Sequence, residues 1–188
     1  QAYALAGDAD GLRNAALATP ENAEAVELVL RDLYQRGESE AGLALLAGRE
    51  KTWRWLGWSG DFYALRGEYA AAVEPYCAAL DDLKRQERNA IREMQKAYLL
   101  LKRAEAYRSL RRFEDADADY RAAEAIIPND PMISFNRGLL VFDAGSLRKA
   151  LPLCRDALDH APDALRDAMR QTLLSEPRYE MLAQALLS

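Results

Sequence analysis

The sequence predicts an all-α fold built from antiparallel helix pairs that stack on one another. Small and bulky residues recur after 34 residues, the small ones where two helices touch and the bulky ones where a core is filled. No segment alternates apolar and polar residues over a useful length, which argues against strands. Turn residues separate the paired helices, and a proline ends each of the two clearest units. These observations predict a repeated helical hairpin rather than one closed core.

Composition limits the class of protein. Half of the 188 residues are hydrophobic and only 17 are Gly or Pro, which argues against wholesale disorder. The net charge of −5 argues against a nucleic-acid partner along the whole chain. No run approaches the roughly 18 apolar residues of a membrane span. Because the chain opens on Gln1 without a signal segment, we expect a fragment of a longer protein or a processed chain. The compartment, cytoplasm or periplasm, stays open.

The N-terminal part is predicted to hold a partial repeat over residues 1–21 and a degenerate repeat over residues 22–52. In the first, residues 7–10 match the turn between two helices, and Pro20 follows the second helix. In the second, apolar residues keep the helical rhythm, although Gly48 stands where alanine is usual in the later units. Both assignments rest on weaker patterns than those that follow.

The unit over residues 53–96 is longer than the others. It begins at Trp53, which lies 44 residues before Ala97 instead of 34. The ten extra residues fall where no Gly or Pro interrupts a helical pattern. We therefore predict two lengthened helices with a turn near residues 86–90, and Asn89 as the N-cap of the second.

Two clear units follow over residues 97–130 and 131–163. The matching positions, 34 residues apart, are Leu100 and Ser134, Ala104 and Gly138, Tyr107 and Val141, Ala116 and Ala150, Tyr120 and Cys154, Ala123 and Ala157, and Pro128 and Pro162. After residue 163 the pattern degrades, and residues 164–188 read as a C-terminal cap with a water-compatible outer face. Cys154 takes the place of an aromatic residue and is predicted to be a buried thiol. It lies two repeats from Cys77, too far for a disulfide.

A unit of 34 residues with this order of small, aromatic and proline positions resembles the tetratricopeptide repeat (TPR). The resemblance covers about residues 22–163 and is most specific over residues 53–163. It implies a right-handed superhelical solenoid of about four repeats with a C-terminal capping helix, in a single domain over residues 1–188. It also implies a binding scaffold, whose first helices line a concave groove for a peptide or a partner helix.

First-helix residues outside the packing positions form a second apolar stripe. Met132, Phe135, Leu139 and Phe142 recur at helical spacing, beside the packing position Gly138. A helix that is apolar on two sides must be buried twice. Either the chain's own lengthened or C-terminal helices cover the stripe, or a partner segment does. The predicted peptide-binding residues, which we call the first-helix surface, are Trp58, Leu65, Tyr98, Leu101, Lys102, Arg108, Met132, Phe135, Asn136, Leu139 and Phe142.

Charge is distributed unevenly along the chain. Residues 84–112 contain ten basic and three acidic residues, a charge of +7 that leaves −12 for the rest of the chain. Such asymmetry favours a partner of acidic character at this edge. A solvated helical stem is the other explanation for the same residues.

No pattern predicts an enzyme, a metal site or a cofactor. The lone histidine, His160, ends a second helix, where a positive charge suits the helix dipole. No glycine-rich phosphate loop is present, and no nucleophile has a nearby base. We therefore expect a protein-protein interaction scaffold that binds an amphipathic or apolar segment. The alternative is an architectural spacer or assembly platform, which the resemblance implies by analogy with bacterial TPR regions that scaffold envelope or exopolysaccharide-secretion complexes. The heavy use of Ala and of Arg over Lys hints at a bacterial source. The sequence leaves the oligomeric state open.

Overall fold

The computed structural model describes Gly11 and residues 22–187. This part of the chain holds ten α-helices and one short 3-10 helix, and no residue of it is in a strand. The all-α class predicted from the spacing is confirmed. The partial repeat predicted over residues 1–21 lies outside the described residues except for Gly11, which is helical.

The chain divides into two compact units, Gln1–Ala79 and Leu80–Ser188. The helices that begin in the first unit are α1 (Ala23–Gln35), α2 (Ser39–Leu46), α3 (Trp53–Leu65) and α4 (Tyr69–Lys84). The boundary between the units falls inside α4. This division into two compact units does not mark the borders of individual repeats. The repeat boundaries predicted from the sequence therefore stay predictions.

The core of the first unit forms because α1 is strongly amphipathic. Its buried positions Val26, Val29, Leu30 and Leu33 recur at helical spacing and pack with Leu46 and Phe62. A buried polar pair joins α3 and α4, where the Tyr76 hydroxyl of α4 donates a hydrogen bond of 2.7 Å to Asp61 Oδ1 of α3. A buried carboxylate needs such a partner to offset its lost hydration.

The second unit continues the pairing and then adds a C-terminal part. Its elements are α5 (Ala90–Ser109), α6 (Phe113–Ile126), α7 (Pro131–Asp143), α8 (Leu147–His160), α9 (Asp163–Ser175), the 3-10 helix Pro177–Tyr179 and α10 (Glu180–Leu187). Helices α5 and α6 pack along their length, as do α7 and α8. A bidentate ion pair at 2.7 Å joins the half-buried Arg103 of α5 to the buried Asp119 of α6.

Local sequence explains where these helices begin and end. The Asn89 side chain accepts a hydrogen bond from Arg92 N at 2.9 Å, so the predicted N-cap of α5 is confirmed. The two helices predicted to be lengthened, α4 before this turn and α5 after it, are 16 and 20 residues long. At the turn inside each helix pair one residue has positive φ, and these residues are Gly37, Gly67, Arg111 and Gly145. Three of the four turns therefore use the residue that adopts this conformation without strain.

The close approach of α7 and α8 depends on the packing position Gly138. A Cβ atom there would collide with Cys154 Sγ and would lie 3.2 Å from the backbone nitrogen of Cys154. Cys154 is buried as predicted, and burial raises the pKa of its thiol to about 12. The described residues include both cysteines and contain no disulfide.

Candidate functional site

In the first unit, Trp58 and Leu65 lie on α3 and differ in their surroundings. Trp58 is half-buried and packs edge-on against Tyr34, with ring centroids 6.2 Å apart. It also packs against Phe62 in a tilted arrangement, with ring centroids 5.9 Å apart. Leu65, at the end of the helix, is exposed. The aromatic packing holds Trp58 in place, so a partner would reach only part of its ring.

In the second unit, the predicted residues of α7 lie against the chain's own C-terminal part. Phe135 and Leu139 are buried in one cluster with Leu173, Tyr179 and Leu182. Met132 and Phe142 are partly buried against the same cluster, and Asn136 is half-buried. Of the two explanations that the sequence left open for this stripe, the structure shows coverage by the chain itself. Whether these residues also bind a partner stays a prediction.

Arg108 of α5, another predicted residue, belongs to a buried polar cluster with Asp143 and Tyr179. Its Nη1 donates a hydrogen bond of 3.2 Å to the Tyr179 hydroxyl, and its Nε lies 3.9 Å from Asp143 Oδ2. The Tyr179 hydroxyl donates in turn to Asp143 Oδ2 at 3.4 Å, and its ring packs edge-on against Phe142 at 5.9 Å. Burial raises the pKa of Tyr179 to about 12, while the charge of Arg108 acts in the opposite direction. The 3-10 helix is thereby anchored to the ends of α5 and α7.

The remaining predicted residues lie on α5 and are accessible. Tyr98 is 44% exposed, and Leu101 and Lys102 are half-buried. The Lys102 ammonium group lies 5.6 Å from the centroid of the Tyr98 ring, within reach of a cation–π interaction. This face therefore offers an aromatic ring with a positive charge above it.

Sequence analysis missed two residues that extend this face. Ile91 is 72% exposed and Met94 is 52% exposed, and with Tyr98 they stand at i, i+3 and i+7 on one side of α5. We call Ile91, Met94 and Tyr98 the α5 stripe. Its signal is the same helical spacing that marks Met132 and Phe135, but it falls in the added residues of the lengthened helix, outside the repeat alignment.

The basic residues near α5 are largely paired with acids. The pairs are Lys84 with Asp81, Arg88 with Glu93, Lys96 with Glu93, Arg103 with Asp119, Arg108 with Asp143, and Arg112 with Asp115. Several of the acids come from outside residues 84–112. In the folded chain they partly neutralise the positive charge that residues 84–112 carry in the sequence. The acidic character predicted for a partner stays a prediction.

Within the described residues, no group of three or more His, Cys, Asp and Glu side chains could hold a metal ion. His160 Nδ1 lies 2.8 Å from the Asp156 carbonyl oxygen at the end of α8, and the role predicted for its charge there stays a prediction. None of the described helices combines the length and the hydropathy needed to cross a membrane.

Comparison with known proteins gives likenesses of fold. No protein-family model and no curated protein sequence matches the chain. The crystal structure of the APC/C hetero-tetramer Cut9-Hcn1 matches with a TM-score of 0.73 at 16% identity, over 99% of this chain and 34% of that chain. The crystal structure of BtubC (BKLC) from P. vanneervenii matches with a TM-score of 0.69 at 16% identity, over 96% of this chain and 80% of that one.

These matches establish the fold and nothing finer. The chain spans about a third of the length of the first of these proteins. Both neighbours contain TPR-like repeats, so the TPR-like helical-repeat fold predicted from the 34-residue spacing is confirmed. At this level of identity, function does not follow from the likeness.

Proposed function

We propose that this chain is a protein-interaction scaffold that binds an amphipathic or apolar segment of a partner protein through the part of its first-helix surface that lies on α5. The observation that carries the proposal is the α5 stripe, a row of large apolar side chains left in water on a first helix. Burying such a row is favourable at about 25 cal/mol for each Å² removed from water. Aromatic and Met side chains are also enriched where proteins meet.

The stripe suits a helical partner better than an extended one. Ile91, Met94 and Tyr98 rise along one helix face, and the half-buried Leu101 continues the same face by one more turn. A second helix lying along this row would bury its own apolar positions at i, i+3, i+4 and i+7. Lys102, above the Tyr98 ring, would then lie at the edge of the contact, where its ammonium group could donate a hydrogen bond to an acidic side chain of the partner.

The residues of α7 enter the proposal in a different way. Phe135 and Leu139 contact the C-terminal part of the chain, so a partner would reach them only after displacing that part. We therefore propose Tyr98, Leu101 and Lys102, extended by Ile91 and Met94, as the first contacts. Asn136 would take part only in a longer interface within the second unit, while Trp58 and Leu65 of the first unit are not among the proposed contacts.

The test is affinity capture from the source organism with quantified partner recovery. We expect Met94→Asp and Tyr98→Asp each to lower recovery of a specific partner about tenfold or more, because each removes an apolar anchor and buries a charge. Ala122→Asp, an equally charged change at an exposed position of the second helix α6, serves as the control and should leave recovery unchanged. If both α5 variants recover the same partners as the unchanged chain, the architectural spacer becomes the better explanation.

A further inference from the structure

A second apolar surface lies at the C-terminal end of the second unit. A cleft of about 450 Å³ opens between the end of α9 and α10. Its floor is the buried Leu173 and Ala183, and its rim includes Leu174, Leu187 and Pro177. Leu174 is 67% exposed and Leu187 is 38% exposed, so two leucine side chains stand in water at the edge of an apolar depression. The volume is within the usual range of binding clefts.

The charged residues at this cleft all have one sign. Glu176 and Glu180 line it, and no basic residue does. The Glu176 carboxylate pairs with Arg178 at 2.6 Å. Glu180 accepts only a hydrogen bond of 3.3 Å from the neutral Gln184 amide among the described contacts, so its charge is not compensated by a base. An ionised carboxylate has room for further donors beyond this one.

We infer that this cleft is a docking site for a basic amphipathic helix of a partner protein. Because the cleft runs between two helices, the side chains of a third helix can enter it as ridges enter grooves. Leucine-type side chains of that helix would cover Leu174 and Leu187, and a Lys or Arg on its flank would pair with Glu180. The surface is separate from the α5 stripe and does not depend on it.

A second copy of the chain fits the cleft less well. In a two-fold dimer the same patch meets itself. Glu180, which no base compensates among the described contacts, would then face the same residue of the other copy, and such a like-charge contact costs free energy. A partner with the opposite charge avoids this cost.

The test uses synthetic helical peptides and fluorescence anisotropy. One peptide carries leucines at i, i+3, i+4 and i+7 with flanking lysines, and its partner peptide has glutamates in place of the lysines. We expect the lysine peptide to bind at least about tenfold more tightly. Leu174→Gln and Leu187→Gln should weaken its binding by about tenfold each, and Glu180→Lys should reverse the preference between the peptides.

The matched control is Met181→Gln, because Met181 is 62% exposed on the same helix but does not line the cleft. It should leave affinity unchanged. Equal weakening by Met181→Gln and Leu174→Gln, equal affinity for the two peptides, or no binding would each overturn the inference. So would self-association in light scattering that Leu174→Gln abolishes, since a second copy would then occupy the cleft. Tyr98→Asp should not alter peptide affinity, which separates this test from that of the α5 stripe.

Discussion

Gly138 shows how one residue sets the distance between two helices. A glycine inside a helix costs about 1 kcal/mol in helix propensity compared with alanine. At Gly138 the absence of Cβ leaves space for Cys154 Sγ and the nearby backbone of α8. The gain is close packing of α7 on α8, and the buried thiol fills the position that Tyr120 occupies one repeat earlier.

We predict that Gly138→Ala lowers the free energy of unfolding by about 1–3 kcal/mol, even though alanine favours a helix, because the added methyl group overpacks the contact with Cys154. Chemical denaturation followed by circular dichroism measures the change. The double variant Gly138→Ala with Cys154→Ala should recover part of the loss, since it removes the Sγ atom. A single variant as stable as the unchanged protein would show that the contact can relax freely.

At the scale of elements, the C-terminal part of the chain acts as a cover for α7. Its Tyr179 is fully buried and hydrogen-bonds with Arg108 and Asp143, residues from two different first helices. The 3-10 helix and α10 thus connect to the repeats by a polar anchor as well as by apolar packing. Removing the hydroxyl would leave the buried Arg108 with one acceptor fewer.

The anchor predicts a loss of stability at high pH. Burial raises the pKa of Tyr179 from its ordinary value of 10 to about 12, so the unfolded chain releases this proton before the folded chain does. The stability that this group contributes is present below pH 10 and is lost as the pH rises through 12. Tyr179→Phe should be less stable at neutral pH by about 1 kcal/mol and should decline less steeply above pH 10.

The control for this measurement is Tyr98→Phe, which changes an exposed tyrosine in the same unit. The free energy of unfolding of this variant should fall above pH 10 as steeply as that of the unchanged protein. Tyr120 is buried and its pKa is also raised by burial, so Tyr179→Phe should reduce the decline without abolishing it. Identical alkaline profiles for Tyr179→Phe and the unchanged chain would refute the role assigned to Tyr179.

At the scale of the whole molecule, the chain is a repeat protein with two compact units. All three tryptophans, Trp53, Trp55 and Trp58, belong to the first unit, so their fluorescence reports on that unit alone. Circular dichroism reports on helices in both. In repeat proteins stability is a sum of local terms and nearest-neighbour terms, so distant parts need not unfold together.

We therefore predict that Gly138→Ala, a change in the second unit, shifts the midpoint of the circular-dichroism transition more than that of tryptophan fluorescence. Urea denaturation monitored by both signals makes the comparison in one sample. Phe62→Leu in the first unit is the reciprocal control and should shift the fluorescence transition more. Coincident transitions in both variants would mean that the two units unfold as one cooperative body.

Much of the helical architecture was predictable because the signals behind it are local. The N-cap Asn89, the glycine turns and the 34-residue recurrence of small positions act within a few residues or within one helix pair. The added length of α4 and α5 was also predictable, because residues 81–96 keep a helical pattern and contain no Gly or Pro. The site was less predictable, since Ile91 and Met94 lie in that added length and fell outside the repeat comparison.

By itself the sequence determined that helices pair, where they begin and end, and which positions they use for packing, because propensity, capping and spacing are properties of neighbouring residues. Only the tertiary structure decided which apolar stripes meet water. Phe135 and Ile91 belong to rows of the same helical spacing, yet one is buried and the other is 72% exposed. The difference arises because Tyr179 and Leu182, more than forty residues along the chain, pack with Phe135, whereas no described apolar cluster includes Ile91.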